Sequence, residues 1–510
     1  MSDALVIGLD IGTTGAKAVA LTAGGVEVAR ARMDYPTRVP NPGWAEQDPD
    51  EVVQAALGVV RRCVEQLGTR RDDLVAISLS SVWHSLMVLQ EESYGRHSCL
   101  TPLITWADLR ATREARTLAN AMDPAEVYRR TGCPVHPMYW PAKIKWCIQH
   151  AMVPGSNPST RVPQRKGKTT RYLSIKEYFL YRLFRCFVVD RSVASGTGLL
   201  NIRSGEWDVH VLGELGIDRS ALSEVVSATH ILSGMDAGAA EAMGIPPSVP
   251  VVVGSGDGAL SSLGVGGVGR GVFTIMVGGS GAIRTSSKEP LLDPKMRTYC
   301  YHMADGYYLT GGAINNGALA LNWYVDGFMG QRLPGGLRDI DRVLEMIPSG
   351  SGGLVFLPFM AGERSPNWNP DMRGVIVGLD LSHTPYHLMR ALAEGICFRL
   401  RSVFDALCEV AGKPVEVRVS SGLMSSPRFR QMMCDVLGVE LSIPATEENS
   451  ATGAALLGFV AMGMLPDVDS ASQCVKIVER VAPSSEASLY EGLYQKYRKA
   501  YEAAAPLFAG

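Results

Sequence analysis

Two acids stand where apolar residues are expected. Asp10 closes the run LVIGLD and is followed by Ile11-Gly12-Thr13-Thr14-Gly15 before a second apolar run opens at Ala16. Asp257 sits inside Gly254-Ser255-Gly256-Asp257-Gly258-Ala259, directly after the run PVVV. The first arrangement suits anion chemistry. Glycines at 12 and 15 bring backbone N–H groups close to a phosphate, and Thr13 and Thr14 add hydroxyl donors. Asp10 could hold a Mg²⁺ or its water shell, and Lys17 could reach a transferred phosphate. The second arrangement suits proton transfer, since a carboxylate at a strand end can accept the proton of an attacking hydroxyl. The loop is not a Walker A sequence, which needs G-x-x-x-x-G-K-[ST].

The elements that must position these residues repeat. Leu5–Asp10 and Ala16–Leu21 read as the two arms of a hairpin. About half a chain later, GVFTIMVGGSGAIRT at 271–285 repeats the pattern, with Gly278-Gly279-Ser280-Gly281-Ala282 in place of Gly12-Thr13-Thr14-Gly15-Ala16. Two related domains are therefore expected, each opening with a strand–turn–strand unit. Met276 occupies the place of Asp10, so both copies would grip phosphate and only the first would handle metal. A helix is expected over Pro49–Leu67, capped by Asp48, with Pro49 at its first position. A strand is expected at Leu74–Leu79, and helices at Tyr386–Ala411, Phe429–Leu437 and, with aromatic anchors, Ser485–Ala505. The basic, Pro/Gly/Ser-rich stretch at 153–171 reads as an exposed loop.

Composition narrows the classes. The net charge is −2 over 510 residues, which offers no bulk attraction for nucleic acid or membrane. The ten cysteines form no C-x-x-C pair and no zinc-finger spacing, as expected of reduced thiols in a cytoplasmic protein. No apolar run approaches a membrane span, and no leader pattern precedes Leu5.

The paired hairpins resemble the actin/hexokinase/Hsp70 ATPase superfamily. DIGTTGAK, GSGDG, VGGSGAIR, GLVFLPFMAGERSPNWNPDMRGVIVGL and SSGLMSSPRFRQM together resemble the FGGY carbohydrate kinases, in order, over about residues 4–465. ISLSSVWHSLMVL, PLITWADLRA and RRTGCPVHPMYWPAKIKW are most similar to the gluconokinase branch. The resemblance implies an α/β fold of two actin-like (ribonuclease H-like) domains, divided here at 1–248 and 249–510, with a catalytic cleft between them. It implies ATP and Mg²⁺ as cofactors and a sugar acid or polyol as acceptor, with D-gluconate giving 6-phosphogluconate. Asp257 matches the general base, and Asp10 the metal-organising acid. Gly12, Thr13, Thr14 and Lys17 match the first phosphate loop, and Gly278, Gly279 and Ser280 the second. Asn322, Gly422 and Ser426 match the nucleotide side. Trp83 and His84 match the acceptor pocket, and His84, Arg110 and His136 are candidate partners for a carboxylate. Glu363 and Arg364 read as a structural pair at the domain interface.

Two positions depart from the family pattern. Gly279 stands where Thr is usual, which removes one hydroxyl, and Ser421 where Gly is usual; either could weaken ATP binding, but neither removes Asp10 or Asp257, and an active kinase is expected. Three rivals remain: a kinase for xylulose or another pentulose, a non-enzymatic nucleotide-dependent module, and a Rossmann dehydrogenase. GSGDG speaks against the module, and the lack of G-x-G-x-x-G after the first strand against the dehydrogenase. A homodimer is one assembly the chain could form.

With one phosphate hairpin in each half, the productive site requires the halves to approach. Small-angle scattering is expected to show a more compact particle with an ATP analogue plus acceptor than with neither. An unchanged radius of gyration would remove the hinge.

Overall fold

The computed structural model describes residues 3–91, 97–150, 170–304, 306–330 and 333–508, and only the backbone of Glu91 and Ser421. The expected 153–171 loop lies outside the described residues, apart from Thr170 and Arg171, which open the strand Thr170–Leu173.

The two hairpins each seed a sheet. β1 (Leu5–Ile11) pairs antiparallel with β2 (Gly15–Thr22), which pairs with β3 (Glu27–Asp34). On its other side β1 runs parallel to Leu74–Ser81, which runs parallel to Val251–Gly256. In the second sheet, Val272–Val277 pairs antiparallel with Gly281–Ser287, which pairs with Tyr307–Ile314, and runs parallel to Glu416–Gly422, then Leu441–Pro444. A three-strand meander beside two parallel strands is thus built twice, as an actin-like fold requires. The copies differ at the turn. Ile11 faces Ala16, whereas Val277 faces Gly281, so the second turn is one residue tighter.

The expected division at 248/249 needs correction. It assigns Val251–Gly256 to the second half, but the ladder hydrogen bonds of this strand are to Leu74–Ser81 of the first sheet. We place the seam after the helix Asp257–Gly264, which follows that strand without a loop.

Local sequence explains the elements that hold the site. α1 (Pro49–Leu67) starts where the Asp48 carboxylate accepts from the N–H groups of Asp50 and Glu51, at 2.9 and 3.3 Å. Val52, Val53, Ala56, Val59, Val60, Cys63, Val64 and Leu67 form its buried stripe. That stripe covers one face of the first sheet, where Leu5, Ile7, Leu9 and Ile11 point. The alternate residues of β1 point the other way. Val6 lies in the core under the helix Asn449–Ala461. Gly8 comes next on that face, where a Cβ would stand 1.8 Å from the Ala451 carbonyl oxygen. Asp10 follows. The tail helix Ala487–Ala504 buries Tyr490, Tyr494 and Tyr497 against Phe398. All ten cysteines are free thiols. No helix among the described residues is long and apolar enough to cross a membrane.

The helices Asp257–Gly264 and Asn449–Ala461 cross with their backbones in contact. A Cβ at Gly264 would lie 1.9 Å from the Asn449 carbonyl oxygen, and one at Gly453 1.9 Å from that of Leu260. Gly453→Val is therefore expected to cost about 1–3 kcal/mol by overpacking. By contrast Gly492→Ala, on an open helix face, is expected to gain up to about 1 kcal/mol. Denaturant unfolding of both variants checks the contrast.

Candidate active site

Asp10 ends β1 on the face that carries Gly8, and it is buried. Its Oδ1 accepts a 2.6 Å hydrogen bond from Ser80 Oγ on the neighbouring strand. Burial pushes its carboxyl above the usual range, and the Ser80 hydroxyl and the Lys17 ammonium partly offset the rise. Lys17 stands opposite Asp10 in the β1–β2 register and forms a 2.5 Å ion pair with Glu448, just before Asn449–Ala461. Between them the turn is braced from behind. Gly12 N–H donates to Gly15 O at 3.1 Å, and the Gly12 carbonyl accepts from Tyr35 Oη at 2.6 Å. The Thr13 carbonyl accepts from Gln47 Nε2 at 2.7 Å. Thr13 Oγ1 accepts from Trp106 Nε1 at 2.9 Å, while Thr14 is exposed.

Asp257 enters the same place from the next strand but one. Ser80 and Ser81 pair with Asp10 and Ile11 on one side and with Ser255 and Gly256 on the other. Asp257 is the first residue of its helix, and its Oδ1 accepts from Gly258 N–H at 2.8 Å. Burial first, then the charge of Asp10, pushes its carboxyl up to about 6, against the opposing pull of Arg284 and the backbone of Gly258 and Trp83. The strand end is anchored by Lys176, whose Nζ donates to Asp190 Oδ2 at 2.7 Å and to Ser255 O at 2.8 Å.

Beside Asp257 lies an aromatic pocket. The Trp83 ring backs the GSGDG turn so closely that a Cβ at Gly256 would sit 1.8 Å from its Nε1, and one at Gly258 2.3 Å from its Cζ3. That explains two of the glycines around Asp257. His84 holds a left-handed backbone, with φ of 66°, a strain typical of functional positions. Its Nδ1 donates to Gly196 O at 2.6 Å, and its own carbonyl accepts from Lys143 Nζ at 2.7 Å. Burial lowers the His84 pKa well below its usual value, so the ring is neutral and Nε2 is an acceptor. Tyr139 and Tyr301 flank it, their hydroxyls 2.6 Å apart.

One candidate carboxylate partner needs correction, and a second is restricted to a neutral role. Arg110 is buried and already paired: its Nε reaches both Asp108 oxygens at 2.8 and 2.9 Å, its Nη2 reaches Glu46 at 2.8 Å, and its guanidinium lies 3.8 Å from the Trp44 ring centroid. His136 is buried, accepts from Met138 N–H at 3.2 Å, and is pushed down to about 3 by desolvation and by the Arg364 charge. It supplies no cation near neutral pH, but with Nδ1 accepting, its Nε2–H is a buried donor that finds no protein partner. The expected Glu363–Arg364 pair does not form either. Glu363 is bound by Arg399, Tyr501 Oη and Asn367 Nδ2. Arg364 turns instead over the Trp106 ring, 4.6 Å from its centroid. Trp106, Arg284 and Arg364 were not among the expected site residues. Arg284 could have been found as Asp10 was, as a charge at an inward position of an apolar strand.

On the nucleotide side, the Gly278 and Gly279 carbonyls accept from Ala318 and Leu319 N–H at 2.8 and 3.1 Å. The second turn is thereby tied to the helix Ala318–Tyr324, which carries exposed Asn322. A Cβ at Gly279 would meet nothing within 4 Å, so the position has room for a larger side chain. Ser280 ends the turn. Gly422, at φ 90°, pairs with Val277, where a Cβ would meet the Val277 carbonyl oxygen at 2.4 Å. Ser426 is committed to structure: its Oγ accepts from Phe429 N–H at 3.1 Å, capping Pro427–Leu437, and donates to Asp341 at 2.6 Å.

Among the described residues no three His, Cys, Asp or Glu side chains gather as a metal cage. The donor set that does occur, Asp10 facing the Asp257 charge, fits a Mg²⁺ that keeps most of its ligands as water and phosphate oxygen.

The chain is similar to known proteins along nearly its whole length. The model of the FGGY family of carbohydrate kinases, N-terminal domain, matches residues 5–264, and that of its C-terminal domain matches 273–462. The chain is 36% identical over 491 residues to a gluconokinase of Bacillus subtilis (strain 168), covering 95% of this chain and 92% of that one. It superposes on a gluconate kinase from Lactobacillus acidophilus with a TM-score of 0.87 at 30% identity, over 99% of both chains. A ligand-bound xylulose kinase from the same organism gives 0.86 at 30% identity, again over 99% of both.

Because Arg110 belongs to a buried ion pair, Arg110→Ala is expected to lower stability by about 3–5 kcal/mol by stranding Asp108. The acceptor KM of the enzyme that still folds should be little changed. Urea unfolding and steady-state kinetics test the two halves of this statement.

Proposed function

The chain belongs to the FGGY family of carbohydrate kinases, and we propose that it transfers the γ-phosphoryl group of ATP to D-gluconate, giving ADP and 6-phospho-D-gluconate. The observation that carries the reading is the Asp257 carboxylate, held beside the aromatic pocket and within reach of the Asp10 charge, in a chain similar along its length to gluconokinases.

Each residue then has a task. Asp257 uses one oxygen on Gly258 N–H, which leaves the other to orient the acceptor hydroxyl and take its proton as transfer proceeds. Thr13 and Thr14 present backbone N–H groups and hydroxyls to the β- and γ-phosphates from one hairpin, where Gly12 closes the turn and leaves room for the anion, and Gly278, Gly279 and Ser280 face them from the other. Lys17 shares its charge between Glu448 and the phosphates. Asp10 would hold Mg²⁺, which when bound would offset the phosphate charge. Asn322 and Gly422 border the adenosine, and Ser426 shapes that border through its helix cap. Trp83 and His84 line the acceptor pocket, the neutral His84 Nε2 accepting from a sugar hydroxyl. Catalysis is then positioning and charge stabilisation, with water kept from the γ-phosphate as the halves close.

A pentulose acceptor is the second reading, supported by the likeness to a xylulose kinase. A coupled ADP-release assay with MgATP and D-gluconate, D-xylulose, D-ribulose or glycerol separates the two. D-Gluconate is expected to be turned over fastest, and Asp257→Asn to lower kcat by about 10²–10⁴-fold while nucleotide binding persists. Turnover of D-xylulose alone would discard gluconate and keep the kinase. Full activity in Asp257→Asn would discard the base.

A further inference from the structure

The chain just before Asp257 has little of its own to hold it still. The Trp83 ring keeps Gly256 bare, and Gly254 sits at φ 71°. A strand end of this kind pivots easily unless its backbone is gripped. The neighbouring strand Ile231–Leu232 pairs only with Val251 and Val252, short of that end. The peptide between Ser255 and Gly256 is instead held by both of its polar groups. Its carbonyl accepts from Lys176 Nζ at 2.8 Å, and its N–H donates to Ser192 Oγ at 3.3 Å.

One acid organises both contacts. Asp190 Oδ2 accepts from Lys176 Nζ at 2.7 Å. Its Oδ1 accepts from Val193 N–H at 3.0 Å and so caps the helix Arg191–Gly196, which carries Ser192. Both side chains of the pair are fully buried. Burial pulls the Lys176 pKa down, while Asp190, then Glu177 and Asp257, favour its charge. Stability alone is a poor reason for such a pair, because neutral residues of similar volume often serve as well.

The same helix reaches the acceptor pocket at its other end. Gly196 O accepts from His84 Nδ1 at 2.6 Å, and a Cβ at Gly196 would stand 2.9 Å from Trp83 Cδ1. Its six residues span about 9 Å. A single short, capped element therefore touches the peptide before Asp257 with its first turn, and His84 and Trp83 with its last.

We propose that the buried Lys176–Asp190 pair is a positioning device, which fixes the Ser255–Gly256 peptide, and with it the Asp257 carboxylate, in register with His84 and the acceptor hydroxyl. This role rests on Asp257 being the base and on no particular acceptor.

The test compares wild type with Lys176→Met/Asp190→Asn, with Asp257→Asn, and with all three changes together, on the acceptor that wild type turns over fastest. Asparagine at 190 keeps an oxygen for Val193 N–H, and methionine at 176 leaves no buried charge, so thermal melts are expected near those of wild type. The pair variant should lose about 10- to 100-fold in kcat, with the KM for MgATP and the acceptor-linked rise in melting temperature unchanged. On the Asp257→Asn background the same two changes should cost no more than about 2-fold, since they act through the group already removed. Wild-type kcat in the pair variant overturns the positioning role and leaves the base standing. An equal loss with and without Asp257 does the same. Where Asp257→Asn is too slow to measure, lost kcat with acceptor affinity held supports the role, and a matching loss of affinity overturns it. Full activity in Asp257→Asn overturns the base and the positioning role together. If the pair variant does not fold, Ser192→Ala takes its place, because it removes only the hydroxyl that Gly256 N–H donates to. A kcat loss confined to the enzyme with Asp257 then supports the role, and an unchanged kcat or a loss shared by both backgrounds overturns it.

Discussion

Asp10 and Asp257 repel each other across a single strand. Each leaves its own strand of one sheet, with Leu74–Ser81 between them, so their backbones lie about 10 Å apart by the usual strand spacing. Two carboxylates held that close in a buried place are favourable only if positive charge is brought to them. Much of the surrounding structure answers that demand. Ser80 hydrogen-bonds Asp10, Lys17 stands opposite it, and Arg284 and two backbone groups act on Asp257. The remaining positive charge would come with a Mg²⁺ bound among phosphate oxygens. The acids are therefore unfavourable in the empty protein and well suited to a cleft that closes on metal and phosphate.

Holding both acids requires that other residues have no side chain. Gly8 lets the helix Asn449–Ala461 cross β1, and Gly264 and Gly453 let that helix touch the backbone of the helix headed by Asp257. Gly256 and Gly258 leave room for the Trp83 ring directly beneath the acid. A segment from late in the chain thus lies on the first sheet, supplies Glu448 to Lys17, and gives Ser450 Oγ to the Asp257 carbonyl at 3.2 Å. The late segment and the first domain are packed as one layer at the site, so the position of Asp257 depends on both.

Charge at the acceptor end follows a different logic. Burial holds His84 and His136 neutral, which makes them polar shape rather than charge. Arg110 is paired through Nε and Nη2 with its own acids. Positive charge facing the pocket then comes from Arg284 and Arg364, on elements of the second half. Aromatic rings of both halves meet around His84, Trp83 and Tyr139 from one and Tyr301 from the other.

Local pattern determined a great deal. The hairpins at Gly12–Gly15 and Gly278–Gly281, the helix cap at Asp48 and the tail helix were legible because turns, caps and period-3.6 stripes are written in adjacent residues. Asp10 and Asp257 were legible because an acid inside an apolar or glycine-rich run needs a reason. Partnership was not legible. Arg110 could be read as a carboxylate partner or as paired with Asp108, and Arg364 looked paired to Glu363, because sequence gives proximity along the chain and not in space. Only the tertiary structure brought Arg399 to Glu363, freed Arg364, and gave Asp108 and Glu46 to Arg110. The seam between domains moved for the same reason. A strand belongs to the sheet it hydrogen-bonds, and Val251–Gly256 finds its partner more than 170 residues back along the chain. Ion pairs and ladders join residues far apart in sequence, and their strength depends on burial, which the whole fold sets.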